Sequence, residues 1–197
     1  SKSTSGVFLE VQGPDARFPI ASQSKGQTAV SHSTPEAEIV AADHAVRTTG
    51  LPALQIWQLI LRDPALRCTF HEDNEACIRV LTTGRNPTMR HLGRTHRIDV
   101  AWLADAFAGS DLEMQKTPSE EMAADIFTKA FPDSKAAVWE RDLKLIKVVD
   151  PAHFWKAPAA DATGGESVKP TVVVARAPCD DDDASATCPD DFNALTR

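Results

Sequence analysis

The stretch Leu66-Arg67-Cys68-Thr69-Phe70-His71-Glu72-Asp73-Asn74-Glu75-Ala76-Cys77-Ile78 decides the fold class. Leu66, Cys68 and Phe70 alternate with Arg67, Thr69 and His71, which is the period of a β-strand, and the run ends on three polar residues. Asn74 can then cap a helix running from Glu75 to about Leu81. A strand handed directly to a helix points to an α/β fold, in which ligand and metal sites gather beyond the C-terminal ends of strands. Asp73 stands at such an end. Its commoner fate is that of a solvated turn residue, because charged side chains mostly stay at surfaces.

Toward the N-terminus, Val7 to Val11 and Phe18 to Gln23 flank the turn-forming Gly13-Pro14-Asp15 and predict a β-hairpin. Thr34-Pro35-Glu36-Ala37-Glu38 is a helix start: Thr34 can cap, proline suits the first turn, and two carboxylates sit near the positive end of the dipole. This helix should reach about Arg47. Thr48-Thr49-Gly50-Leu51-Pro52 then interrupts it before a second helix, Ala53 to Leu61.

Toward the C-terminus, a helix is expected from Thr95 to Ala108, ended by Gly109, and a short strand from Leu112 to Lys116. Ser119 should cap a helix that carries Asp125. Ser134 should cap a last one, with Trp139, Leu143 and Ile146 on one face. Trp57, Trp102 and Trp139 are all expected in the core. Beyond about residue 148 the text turns to Pro, Ala, Gly and Asp, with Asp180 to Asp183 in a row. Residues 149–197 are therefore expected to be a largely disordered tail, apart from a strand at Thr171 to Ala175. Phe154 and Trp155 in that tail could anchor a partner.

The composition, 42% hydrophobic and 25% charged over 197 residues, is that of an ordinary globular protein with one core. No window approaches the roughly 18 uninterrupted apolar residues of a membrane-spanning helix, so no such segment is expected. The opening Ser1-Lys2-Ser3-Thr4-Ser5-Gly6 has neither an initiator Met nor a signal peptide's pattern and predicts a longer parent polypeptide. Cys68, Cys77, Cys179 and Cys188 are too scattered for a disulfide framework, which favours a reducing intracellular compartment, cytoplasm or nucleus.

A net charge of −7 argues against a polyanionic partner until its distribution is considered. Residues 151–197 hold eight acids and four bases, which leaves 20 acids and 17 bases for residues 1–150. Positions 79 to 97 carry Arg79, Arg85, Arg90, Arg94 and Arg97, with His91 and His96, and no acid. Such a strip could grip phosphates; its plainer reading is a solvated face.

Glu38, Asp73 and Asp125 come from three different elements that an α/β topology could bring together. Hard cations such as Mg²⁺ take oxygen ligands, and a pair of them can hold the attacking water and the leaving oxygen of a phosphodiester. The words around these acids form a series. Lys2-Ser3-Thr4-Ser5-Gly6 resembles the "K-S-T-S-G" of copia-type retrotransposon ribonuclease H domains. Ser33-Thr34-Pro35-Glu36-Ala37-Glu38 resembles their "S-S-T-E-A-E", and Glu72-Asp73-Asn74-Glu75-Ala76-Cys77-Ile78 their "C-D-N-Q-S-A-I". Arg94-Thr95-His96-Arg97-Ile98-Asp99-Val100 resembles "R-T-K-H-I-D-I", and Ala124-Asp125-Ile126-Phe127-Thr128-Lys129 "A-D-I-L-T-K". The order is the family's and the span about three quarters of the chain.

The resemblance implies a ribonuclease H-like three-layer fold, a mixed sheet flanked by helices, over residues 1–148. It implies a hydrolase, an endonuclease cutting the RNA strand of RNA–DNA hybrids, with Mg²⁺ or Mn²⁺ held by Glu38, Asp73 and Asp125. The family's fourth acid lies on a first strand just before "K-S-T-S-G", in the middle of a five-stranded sheet, and the chain as read lacks that strand. Two inner sheet edges would then stand unpaired, and Glu10 and Asp15 do not replace the acid. The alternative is a degenerate or co-opted non-enzymatic subunit whose protein partner supplies the missing strand or edge. Departures from the family's wording are Ile39 in place of Tyr, Glu72 in place of Cys, and His96-Arg97 in place of Lys-His.

Overall fold

The computed structural model describes residues 2–13, 17–128, 131–146 and 169–175. Strands β1 (Thr4–Gln12) and β2 (Arg17–Gly26) form the expected antiparallel hairpin, longer at both ends than the apolar runs, with a bulge between Leu9 and Glu10. β2 is an outer edge, where a proline such as Pro19, next to the bulge, is tolerated. Alternation gives β1 two apolar sides: Val7 and Leu9 enter the main core, Phe8 a second, smaller one.

Helix α1 (Thr34–Ala45) starts one residue earlier than the sequence suggests. Ser33, in extended backbone, is the cap and accepts from the Glu36 N–H. The helix is not interrupted at Thr48–Pro52. A π-helical turn, Val46–Gly50, carries it directly into α2 (Leu51–Leu61), with Pro52 in the first turn of α2. Strand β3 (Cys68–Glu72) leads to α3 (Glu75–Thr83), capped by Asn74 accepting from the Cys77 N–H, as expected. Gly84 ends α3 at φ 65°, and a Cβ there would sit 3.1 Å from that of Ala104, so both backbone and packing favour glycine.

The expected Thr95–Ala108 helix is two pieces. A single turn, α4 (Leu92–Thr95), is cut off by Arg97 at φ 59°, and α5 (Val100–Ala108) begins anew under the Asp99 carboxylate, which accepts from the Trp102 N–H. After β4 (Leu112–Lys116) the expected capped helix is two 3-10 turns, Ser119–Glu121 and Ala123–Phe127, and the Ser119 hydroxyl donates to Asp73 instead of capping. A 3-10 turn, Asp133–Lys135, precedes α6 (Ala136–Leu145), which has no side-chain cap. On α6 Trp139 is 42% exposed and Leu143 39%, so neither is core; the buried residue there is Asp142. Trp57 and Trp102 do pack against the main core.

The sheet is mixed, in the order β2-β1-β5-β3-β4, where β5 is Lys169–Ala175. The strand expected at Thr171 to Ala175 is therefore present and central. It runs antiparallel to β1 from Gly6 to Gln12 and parallel to β3 from Thr69 to His71. The two inner edges expected to stand open are closed by the chain's own late segment. Pro170, without an N–H, falls near the strand's start, opposite Val11 and before pairing with β3 begins. Helices α1, α2, α3 and α5 cover the Val7, Leu9, Cys68 and Phe70 side; the 3-10 turn Ala123–Phe127 and α6 lie over the Phe8 side. The architecture is mixed α/β, as expected. No helix among the described residues is long and apolar enough to cross a membrane.

Candidate functional site

The C-terminal end of β3 is where buried charge collects. Period-two alternation turns Cys68, Phe70 and Glu72 toward the helices. Glu72 is 1% exposed, and its Oε1 accepts from the Asn74 N–H at 3.0 Å. Burial raises its carboxyl to about 8, with the charge of Asp73 adding and the Asn74 N–H opposing. Glu38, on α1, is fully buried as well. Burial, then the charges of Glu72 and Glu38, with Asp73 behind them, push the Cys77 thiol well above the usual thiol range. Glu38, Glu72 and Asp73 thus act on one buried sulfur. Asp73 is half-buried, its Oδ2 held by Ser119, while Oδ1 is buried with no hydrogen-bond partner, as is Glu72 Oε2.

Asp125 reaches the sheet from the other side. It sits fully buried in the turn Ala123–Phe127, between Ala124, which packs with Phe8, and Phe127, whose ring stacks on that of Phe8 at 6.1 Å. The oxygen donors suit a hard divalent cation in kind, and the orphaned oxygens of Asp73 and Glu72 are places such an ion could satisfy. Among the described residues, no three His, Cys, Asp or Glu side chains come together as a group that could hold a metal. The structure therefore brings Glu38 and Asp73 to a common locus and does not close a metal cage with Asp125. Glu10 is 2% exposed beside Gln12 and Arg17. Asp15, Phe154, Trp155, Cys179 and Cys188 lie outside the described residues.

His71 faces away from Phe70, as alternation requires, and pairs through Nδ1 with the Thr117 hydroxyl at 2.7 Å. Burial, with Arg17 adding, lowers its pKa to about 4, so the ring is neutral and structural.

All five arginines of the strip are exposed: Arg79 on α3, Arg85 and Arg90 in the following loop, Arg94 on α4, and Arg97 at the left-handed break. Arg90 and Arg97 open on a cavity of about 550 Å³ lined also by Asn86, Met89, Gly93 and Asp99. Beneath this loop lies a polar knot absent from the sequence reading. Glu36, 1% exposed, receives His96 Nε2 at 2.9 Å and His91 Nε2 at 3.1 Å on Oε1, and the His32 N–H at 3.0 Å on Oε2. Burial works against its charge, but these three donors hold its carboxyl below the usual carboxylate range. The knot ties the arginine-bearing loop to the first turn of α1. The only sequence signal was a pair of histidines in a segment without acids. Glu72, also missed as a site residue, was legible in the same alternation that defined β3.

No protein-family model, curated protein or solved structure matches the chain.

Proposed function

We propose that residues 1–148, completed by the central strand Lys169–Ala175, are a ribonuclease H-like domain of a retroelement polyprotein that hydrolyses the RNA strand of RNA–DNA hybrids. The observation that carries this reading is a mixed five-stranded sheet with Asp73 just past the end of β3 and Glu38 on the helix that follows the β1–β2 hairpin, both close enough to act on the buried Cys77 thiol. Glu38, Asp73 and Asp125 are the residues that would hold Mg²⁺ or Mn²⁺, which would supply a polarised water and charge stabilisation at the phosphate. The chain's own part is to keep Glu38 and Asp125 buried and to aim Asp73, one of whose oxygens Ser119 fixes. The exposed arginines of positions 79 to 97 would take the backbone phosphates and set the duplex in register.

One observation favours a second reading, a co-opted non-enzymatic module. The central strand, Lys-Pro-Thr-Val-Val-Val-Ala, carries no carboxylate, whereas the resemblance puts an acid on the strand in that place. A single assay separates the two. A labelled RNA–DNA hybrid with Mg²⁺ is cut by the full chain and spared by Asp73→Asn if the chain is a nuclease. A folded chain that never cuts the hybrid overturns the nuclease reading and leaves the co-opted module; cleavage lost in Asp73→Asn overturns the module.

A further inference from the structure

Four of the five strands form two pairs that meet only through β5. β1 pairs with β2, β3 pairs with β4, and neither pair hydrogen-bonds the other. Each pair is built from residues that precede Ile146, whereas β5 comes after a further 22 residues. The two pairs are nonetheless joined on their helical side: one apolar cluster runs from Val7 and Leu9 through Ile39 and Leu81 to Cys68 and Phe70, and α3 packs on both α1 and α5. The body thus has its own means of holding β1 and β3 a strand's width apart. Between them lie two facing rows of backbone donors and acceptors that one extended segment satisfies.

We infer that the β1–β3 slot is a strand-acceptor site, and that its occupant is this chain's own segment Lys169–Ala175, held as an exchangeable insert. The recognition is main-chain pairing, antiparallel along Gly6–Gln12 and parallel along Thr69–His71, for a segment rich in Thr and Val. Four consecutive β-branched residues, Thr171 to Val174, give that segment high strand propensity. The intervening 22 residues could reach at most about 70 Å, more than the slot requires, and they join the insert covalently to the body it enters, so a free copy competes against an intramolecular partner. A free copy of the segment at micromolar concentration should therefore enter only when the resident strand is disabled. This inference does not depend on the nuclease reading and involves no nucleic acid.

The test uses the full chain. Val173→Pro removes a donor in the middle of β5 and should open the slot. A fluorescent peptide of residues 168–176 should then bind the variant at least tenfold more tightly than the wild type, and restore slow exchange at the β5-facing amides of Gly6–Gln12 and Thr69–His71, the alternate N–H groups that β2 and β4 do not engage. A variant that keeps those amides protected without peptide, or that stays folded and ignores it, overturns the inference. Should Val173→Pro fail to fold, a protease site placed between residues 155 and 165 of the otherwise unaltered chain gives the second reading. After cutting, the tail fragment should stay with the body through gel filtration and be displaced by excess peptide. A fragment that departs and leaves the body's melting unchanged, or one that no excess of peptide displaces, overturns it equally.

Discussion

Glu72 is a carboxylate whose burial costs its charge more than its hydrogen bonds, the Asn74 N–H foremost, return, so its proton stays on up to about pH 8 in the folded chain. Unfolded, the same group ionises near 4.5. The unfolded state therefore loses a proton first as pH rises, and folding stability falls across the window between those values. His71 acts in the opposite sense and elsewhere: with its pKa at about 4, it lowers stability only as pH drops below about 6.5. Between pH 6.5 and 8 Glu72 is the one of the two that titrates. Glu72→Gln keeps the shape of the protonated acid, so its melting temperature should fall less than the wild type's from pH 6.5 to 8, with up to about 1.4 kcal/mol per pH unit at stake. Equal slopes would mean that Glu72 is already ionised when folded. Glu36 makes a different prediction. Its partner His96 has a side chain 1% exposed, so Glu36→Ala leaves a ring N–H buried and unpaired and should cost about 3 kcal/mol by urea denaturation. The Arg47–Asp43 pair lies at the surface, with Arg47 43% exposed, and Asp43→Ala should cost less than about 1 kcal/mol in the same measurement.

Elements were legible in the sequence where one local rule sufficed. The passage from β3 to α3 needed only alternation followed by a capping Asn, and both hold. The Thr95–Ala108 helix failed because helical apolar spacing continues across a break. Arg97 turns left-handed, and Asp99 competes for the first-turn N–H groups that a longer helix would have used internally. Ser119 failed as a cap because its hydroxyl had a carboxylate to meet, a tertiary contact invisible locally. On α6, the apolar stripe splits: Trp139 and Leu143 are exposed, while Ile146 just beyond the helix packs against the Phe8 cluster. The same ambiguity shows on α2, which is apolar nearly all round: Leu54 is 1% exposed and Leu59 79%. Leu54→Ala should therefore cost about 2–5 kcal/mol, transfer plus cavity, while Leu59→Glu should stay within about 0.5 kcal/mol. A large loss at Leu59 would show that the outer face of α2 is covered in solution, which a sedimentation measurement on the same variant would confirm as a change of mass.

For the whole molecule, what sequence could not supply is which distant segments share a neighbour. The candidate strand at Thr171 to Ala175 was readable from its Val run, but its place between β1 and β3 depends on edges separated from it by about 100 residues or more, and no local pattern encodes such pairing. Charge follows the same logic. The net −7 says little about partners, because the five arginines between positions 79 and 97 lie exposed on one continuous stretch and more than half of the acids' excess belongs to residues 151–197. If the strip grips a duplex, binding is governed by local phosphate contacts and the ions they release, about 0.9 in the slope of log K against log salt per contact for a B-form duplex. Arg90 and Arg97 share the rim of one cavity, so the double change Arg90→Ala with Arg97→Ala should weaken hybrid binding and flatten that slope by about 2. Arg67→Ala removes an exposed arginine of equal charge outside the strip and should leave the slope unchanged. Fluorescence anisotropy titrations between 50 and 200 mM salt resolve a difference of that size. Equal flattening by Arg67→Ala would show that the chain meets nucleic acid through its diffuse charge, and would remove the strip, and the loop that Glu36 ties down, from any part in placing the substrate.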